Sequence, residues 1–148
     1  MMRHYWVCQA AQEHVNIVRD KGYTQVNMGP RGPLETMNTG DWILYYSPTI
    51  YYGQDLPSCE QFSGISCVND SRVYPQGGQF PDRWRRNVDF FHCNPHHPAI
   101  FVGKVSFLPD HETWQDVLTQ SFFEIPRNDF LVIAQTILVE TPEKIPLL

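Results

Sequence analysis

Along most of this chain apolar and polar positions alternate, and in a few places the period lengthens to that of a helix. The run Gly40-Asp41-Trp42-Ile43-Leu44-Tyr45-Tyr46-Ser47-Pro48 is apolar on both sides. With a period of two, Trp42, Leu44 and Tyr46 share one face, and Ile43, Tyr45 and Ser47 share the other. A strand with two apolar faces belongs at the centre of a closed or curled sheet. The turn signal Asn38-Thr39-Gly40-Asp41 opens it. Pro48, which has no N–H to donate, is expected to end it.

The other elements follow from the same reading. His4–Ala10 is expected to be the first strand, and Ala11–Lys21 a helix with Gly22 as its stop. Tyr23–Met28 alternates as a second strand before the loop Gly29-Pro30-Arg31-Gly32-Pro33 and a helical turn at Leu34–Met37. Thr49–Ser58 is expected to be an exposed loop. Gln61–Val68 is expected to be a strand continuing to Val73-Tyr74, Pro75–Arg85 a second loop, and Arg86–Cys93 a further strand. Ala99–Val105 fits a short helix or a strand, His111–Leu118 is weakly helical, and Ser121–Ile125 is extended. Phe130, Ile133, Ala134 and Ile137 make one stripe of a helix over Asp129–Leu138. The tail from Glu140, with Pro142 and Pro146, is expected to pack loosely. These elements predict one α+β domain over residues 1–148 with a strongly bent sheet.

Composition narrows the functional classes. A chain of 148 residues, 42% hydrophobic and 18% charged, can bury a core without disulfides. Its net charge of −5 argues against a nonspecific nucleic-acid binder, which would be basic. A local basic patch remains open, and Arg83, Arg85 and Arg86 form one. No charged leader with an apolar run precedes the first strand, and no apolar stretch is long enough to span a bilayer. A cytoplasmic protein without membrane attachment is therefore expected, its four cysteines (Cys8, Cys59, Cys67 and Cys93) free thiols.

The order of these pieces resembles the EVE-domain family, a branch of the PUA-like superfamily related to YTH domains. The matching residues are Tyr5-Trp6-Val7-Cys8, Gly22-Tyr23-Thr24-Gln25-Val26, Pro33-Leu34 with Met37, and Gly40 to Pro48. Phe80, Arg85-Arg86-Asn87-Val88-Asp89-Phe90 and Phe123-Glu124-Ile125-Pro126 with Asp129-Phe130 complete them. At Asn27-Met28-Gly29-Pro30-Arg31 the chain departs from the His-Gly-Lys run common in that family. The resemblance implies a PUA-like bent β-barrel of about six strands with flanking helices. It also implies a pocket for a modified nucleobase of DNA or RNA.

A flipped base needs flat walls and a few polar groups that read its edge. Trp6, Tyr45, Tyr46, Phe80 and Trp84 are the candidate walls. Gln25, Asn27 and Ser47 are candidate edge readers, and Arg85 and Arg86, beside Arg83, are candidates for phosphate. Against this stands the commoner role of strand aromatics as core and of a loop arginine as a solvated or ion-paired group, here with Asp82 or Asp89.

Other chemistries are weaker. His92-Cys93-Asn94-Pro95-His96-His97 carries metal-ligand types, but its spacing matches no standard site. A nucleophilic Cys8 or Cys93 lacks an assignable base and orienter. Gly77-Gly78 lacks the pattern of a phosphate-cradling loop. No catalytic residue, metal or cofactor is therefore assigned. A small hydrolase or nuclease of the related ASCH type is the alternative, followed by a small-molecule or protein interaction module. A stand-alone reader of this size is expected to recruit an effector protein.

Overall fold

The computed structural model describes residues 3–140. The chain runs β1 (Tyr5–Gln9), α1 (Gln12–Lys21), β2 (Tyr23–Thr24), α2 (Arg31–Thr36) and β3 (Trp42–Thr49). There follow β4 (Ser58–Gly77), β5 (Phe80–Phe91), a 3-10 turn (Pro98–Phe101), α3 (Trp114–Val117), β6 (Phe122–Ile125) and α4 (Arg127–Ile137). The strands form one sheet in the order β2-β5-β4-β3-β1-β6. β1 and β3 are parallel, and the other pairings are antiparallel. A parallel pair cannot be joined by a tight turn, so α1, β2 and α2 together make the crossover.

β3 lies inside the sheet, and every residue from Asp41 to Ser47 is buried. Its two apolar faces serve two cores. Trp42, Leu44 and Tyr46, with Tyr5 and Val7 of β1, pack against Phe130, Ile133, Ala134 and Ile137 of α4. Ile43 and Tyr45, with Trp6 and Cys8, pack against Val15 of α1 and against Leu34 and Met37 around α2. The period-two assignment of faces thus holds for β3 and β1 alike.

The six strands and the α+β bent sheet are those expected, but the sheet is open, with β2 and β6 as its edges. β2 is short because the chain turns away after Thr24, and Met28 and Gly29 take positive φ of 69° and 74°. Pro48 does not end β3; the pairing slips between Ser47 and Thr49 and continues. The segment Pro75–Arg85, expected as a loop, is mostly the far end of the β4–β5 hairpin, with Pro75 opposite Trp84 and Gly77 opposite Phe80. Gly77 and Gly78 reverse the chain with φ of 80° and 60°, where a side chain would be strained. Residues 99–105 begin as the 3-10 turn rather than a strand. α2 starts at Arg31, with Pro33 in its first turn, where an N–H is not needed. The tail 141–148, expected to pack loosely, lies outside the described residues.

Candidate functional site

Because β1 and β3 are parallel, both run out at the same end of the sheet, and a cleft of about 470 Å³ opens there. Gln9, Ala10 and Ala11 line it from the end of β1, and Glu13, His14 and Ile17 from α1. Pro48, Thr49, Tyr52 and Gly53 come from the end of β3 and the loop after it. Gln25 to Gly29, after β2, form another wall, and Arg83 of β5 the last. This volume lies within the range of small-ligand sites.

The wall after β2 is held by close backbone packing. Gly29 N–H donates to the Val26 carbonyl at 2.7 Å, and Trp84 N–H donates to the Gly29 carbonyl at 2.9 Å. A Cβ on Gly29 would stand 2.7 Å from Cβ of Arg83, so only glycine lets the two segments meet. Met28 beside it is exposed in a left-handed conformation, and its Sδ accepts the Tyr52 hydroxyl at 2.7 Å. A non-glycine residue at positive φ is a local strain of the kind that clusters at functional sites.

The polar equipment of the cleft is small. Gln25 Nε2 donates to Gln76 at 3.0 Å, which leaves its amide oxygen with free acceptor capacity. The half-buried Asn27 amide makes no hydrogen bond with another described side chain. Burial, and then the nearby charge of Arg85, lower the pKa of His14, while a hydrogen bond with the Gln25 backbone opposes them. Its imidazole is therefore neutral at pH 7. Glu13 and Arg83 are the charged residues among those that line the cleft.

Of the expected site residues, Gln25 and Asn27 line this cleft. Others belong to the cores, a correction to their expected role. Trp6 is buried, stacks on Phe122 at 4.7 Å and donates Nε1–H to Asp41 at 2.9 Å. Tyr45 is buried against Phe90, with its hydroxyl donating to Thr24 at 2.7 Å and 2.9 Å from the Ser66 hydroxyl. Tyr46 lies in the opposite core, edge-on to Phe62, and burial with the nearby Glu60 and Cys59 pushes its hydroxyl up to about 12. Ser47 is buried and bonded to Ser63 at 2.7 Å. Neighbours on one strand face opposite ways, so Tyr45 and Tyr46 cannot wall one pocket together.

The hairpin aromatics and arginines divide differently. Phe80 lies under Arg83 at 4.0 Å, Trp84 under Arg31 at 4.4 Å, and Tyr23 under Arg85 at 4.0 Å. Phe80, Trp84 and Arg85 are not among the lining residues. Arg85 Nε is buried without a hydrogen-bond partner. Arg86 is a second correction. It is buried, and its guanidinium donates to the carbonyls of Leu34, Met37 and Asp70, clamping α2 to the hairpin. No fork is left for phosphate.

A family profile for the EVE domain matches residues 4–136. The chain belongs to the EVE domain family. Among relatives of this EVE domain are the UPF0310 protein in the gntR 5′ region of Bacillus licheniformis, 32% identical over 86% of each chain. The UPF0310 protein YdcG of Bacillus subtilis is 29% identical over 91% of this chain and 92% of its own. A crystal structure from Pseudomonas syringae matches at a TM-score of 0.55 and 15% identity, over 88% of this chain and 97% of that one. An NMR structure from Rhodopseudomonas palustris matches at 0.56 and 16%, over 89% and 91%. At such identities the two structures speak for the fold.

The histidine-rich turn of this EVE domain is tied up locally. His97 bonds Glu60 at 3.2 Å and accepts from Ala99 N–H at 3.0 Å, His96 bonds the Asn94 carbonyl at 2.7 Å, and Cys93 donates to Phe91 at 3.4 Å. Among the described residues no three His, Cys, Asp or Glu side chains converge as for a metal. Burial pushes the Cys93 thiol up to about 11 and raises that of Cys8 further, which keeps both protonated. Sequence reasoning missed His14, Ile17, Met28, Pro48 and Tyr52 as cleft residues. The available signal was positional, since Pro48 and Thr49 close the central strand and Met28-Gly29 is a turn.

Proposed function

We propose that this EVE domain takes one modified base of DNA or RNA into the cleft and acts by binding rather than by catalysis. The observation that carries the reading is the cleft itself, whose lining includes Asn27, Gln25 and the flat ring of Pro48. A flipped base is held by stacking and by hydrogen bonds to its edge, and an amide matches a base edge in both donor and acceptor. Arg83 at the rim takes the phosphate role first given to Arg85 and Arg86. Family membership supports the reading, and so do the raised pKa values of the Cys8 and Cys93 thiols. In this reading it acts in the cytoplasm and recruits an effector protein to the modified base.

Fluorescence anisotropy tests this with matched oligonucleotides bearing cytosine, 5-methylcytosine, 5-hydroxymethylcytosine, adenine or N6-methyladenine, as DNA and as RNA. One modified base is preferred, and Asn27→Ala removes the preference with the fold intact by circular dichroism. Equal binding of all of them, or an unaffected Asn27→Ala, defeats the reading.

A further inference from the structure

Seven large apolar side chains are exposed among the described residues; three of them line the cleft and two more lie in the loop that carries one of these three. Ile17, Met28 and Tyr52 line the cleft, and Tyr51 and Leu56 sit in the loop that carries Tyr52. Met28 is 68% exposed and Leu56 74%, so this rim is not core that happens to reach the surface. Concentrated exposed apolar area marks an interaction surface. The Tyr52 hydroxyl donates to Met28 Sδ at 2.7 Å, which ties the ring to the segment after β2 before anything binds. A ring held in place loses little freedom on stacking.

From this rim we infer that the partner is a single-stranded nucleic acid, whose bases beside the flipped one stack on Tyr51 and Tyr52. The inference rests on the base-reading proposal and names the form of its partner. Charge decides between strand and duplex. A duplex carries one phosphate charge per about 1.7 Å of its axis and is held chiefly by cations. Around this cleft the chain offers Arg83 in the lining and Arg85 near His14, against Glu13 in the lining and Asp55 in the loop, and its net charge is −5. Two rows of phosphate would meet an apolar rim with only two arginines, offset by two carboxylates. A single strand instead turns its bases outward, each with a face that any aromatic ring can stack on. Arg83, with its plane on Phe80, keeps its N–H edge for one phosphate.

The test compares short oligonucleotides carrying 5-methylcytosine, 5-hydroxymethylcytosine, N6-methyladenine or unmodified bases, single-stranded and annealed to their complements, as DNA and RNA. Single strands bind at least about ten-fold tighter than their duplexes, and the double variant Tyr51→Ala/Tyr52→Ala weakens them by roughly 10- to 100-fold. Tyr52→Phe keeps the ring but loses its bond to Met28 Sδ, and binds between the wild type and the double variant. The slope of log affinity against log salt is shallow, about −1, as for one or two phosphates on a single strand. Duplexes that bind as tightly as single strands, or a double variant without effect, overturn the inference. If Asn27→Ala still removes a base preference in that case, the base reader stands without it. Single-strand binding that needs the tyrosines but ignores the modification overturns the reader and leaves the rim. Binding of no oligonucleotide overturns both and turns the rim over to a protein partner.

Discussion

Asp41 shows how much a single buried side chain organises here. Its carboxylate accepts His4 N–H at 2.9 Å, Trp6 Nε1–H at 2.9 Å and Asn38 N–H at 2.8 Å, joining β1 to the turn that opens β3. Asp41→Ala leaves these donors buried and unmatched, and should lower the unfolding free energy in urea by about 3 kcal/mol. The arginines make a sharper pair. Arg86→Ala removes the clamp between α2 and the hairpin and should destabilise by about 3 kcal/mol, and Arg86→Lys, which lacks the planar fork, should not restore it. Arg83→Ala loses only its contact with the Phe80 ring, about 1 kcal/mol or less. Its effect should appear instead in binding, as a several-fold loss of oligonucleotide affinity at low salt. The two residues lie three apart in sequence and are indistinguishable by composition; their roles differ because one side chain enters the packed layer and the other reaches the rim.

Among the elements, the segment that leaves β2 matters most to the site. Met28 and Gly29 both have positive φ, and the Gly29 backbone lies against Arg83. Gly29→Ala meets backbone strain and a side-chain clash at once, so it should destabilise by roughly 1–3 kcal/mol and also weaken oligonucleotide binding. Thermal melts and anisotropy on the same preparation would read both. At the far end, Asp129 in the first turn of α4 accepts from Ser106 N–H at 3.0 Å, from the Ser106 hydroxyl at 2.5 Å and from Phe107 N–H at 3.3 Å. This bond set ties the loop after the 3-10 turn to the helix start, where a negative charge is also favoured. It explains why Asp129 is buried although it is charged.

For the whole molecule, two histidines give stability opposite dependences on pH. The pKa of His14 is lowered, so below the ordinary imidazole value of 6.5 the unfolded chain takes up a proton that the folded one resists. Stability should fall with acidification through the window just below 6.5, and His14→Gln should flatten that fall in urea titrations at about pH 7.5 and about pH 5.5. His4 acts in reverse, because its hydrogen bond to Glu124 at 2.6 Å raises its pKa. The stability it contributes is full below 6.5 and lost as pH rises through the folded value, and its exposure to solvent keeps it small. The order of elements, the central place of β3 and the α4 stripe were legible in the chain, because periodicity records which way each side chain points. The family was legible from motif order. Gln25 and Asn27, expected as base-edge readers on a strand over Tyr23–Met28, line the cleft in the segment after the shorter β2. Which aromatics are core and which are rim was not legible: Tyr45 and Tyr52 are the same residue type, and only packing separates them. A sequence by itself determines local direction and hydrophobic content, which suffice for strands, helices and fold class. The cleft joins the ends of β1, β2 and β3 with Arg83, and only the tertiary structure decides which side chains meet there, since such contacts depend on register, bulges and turn angles far apart in the chain.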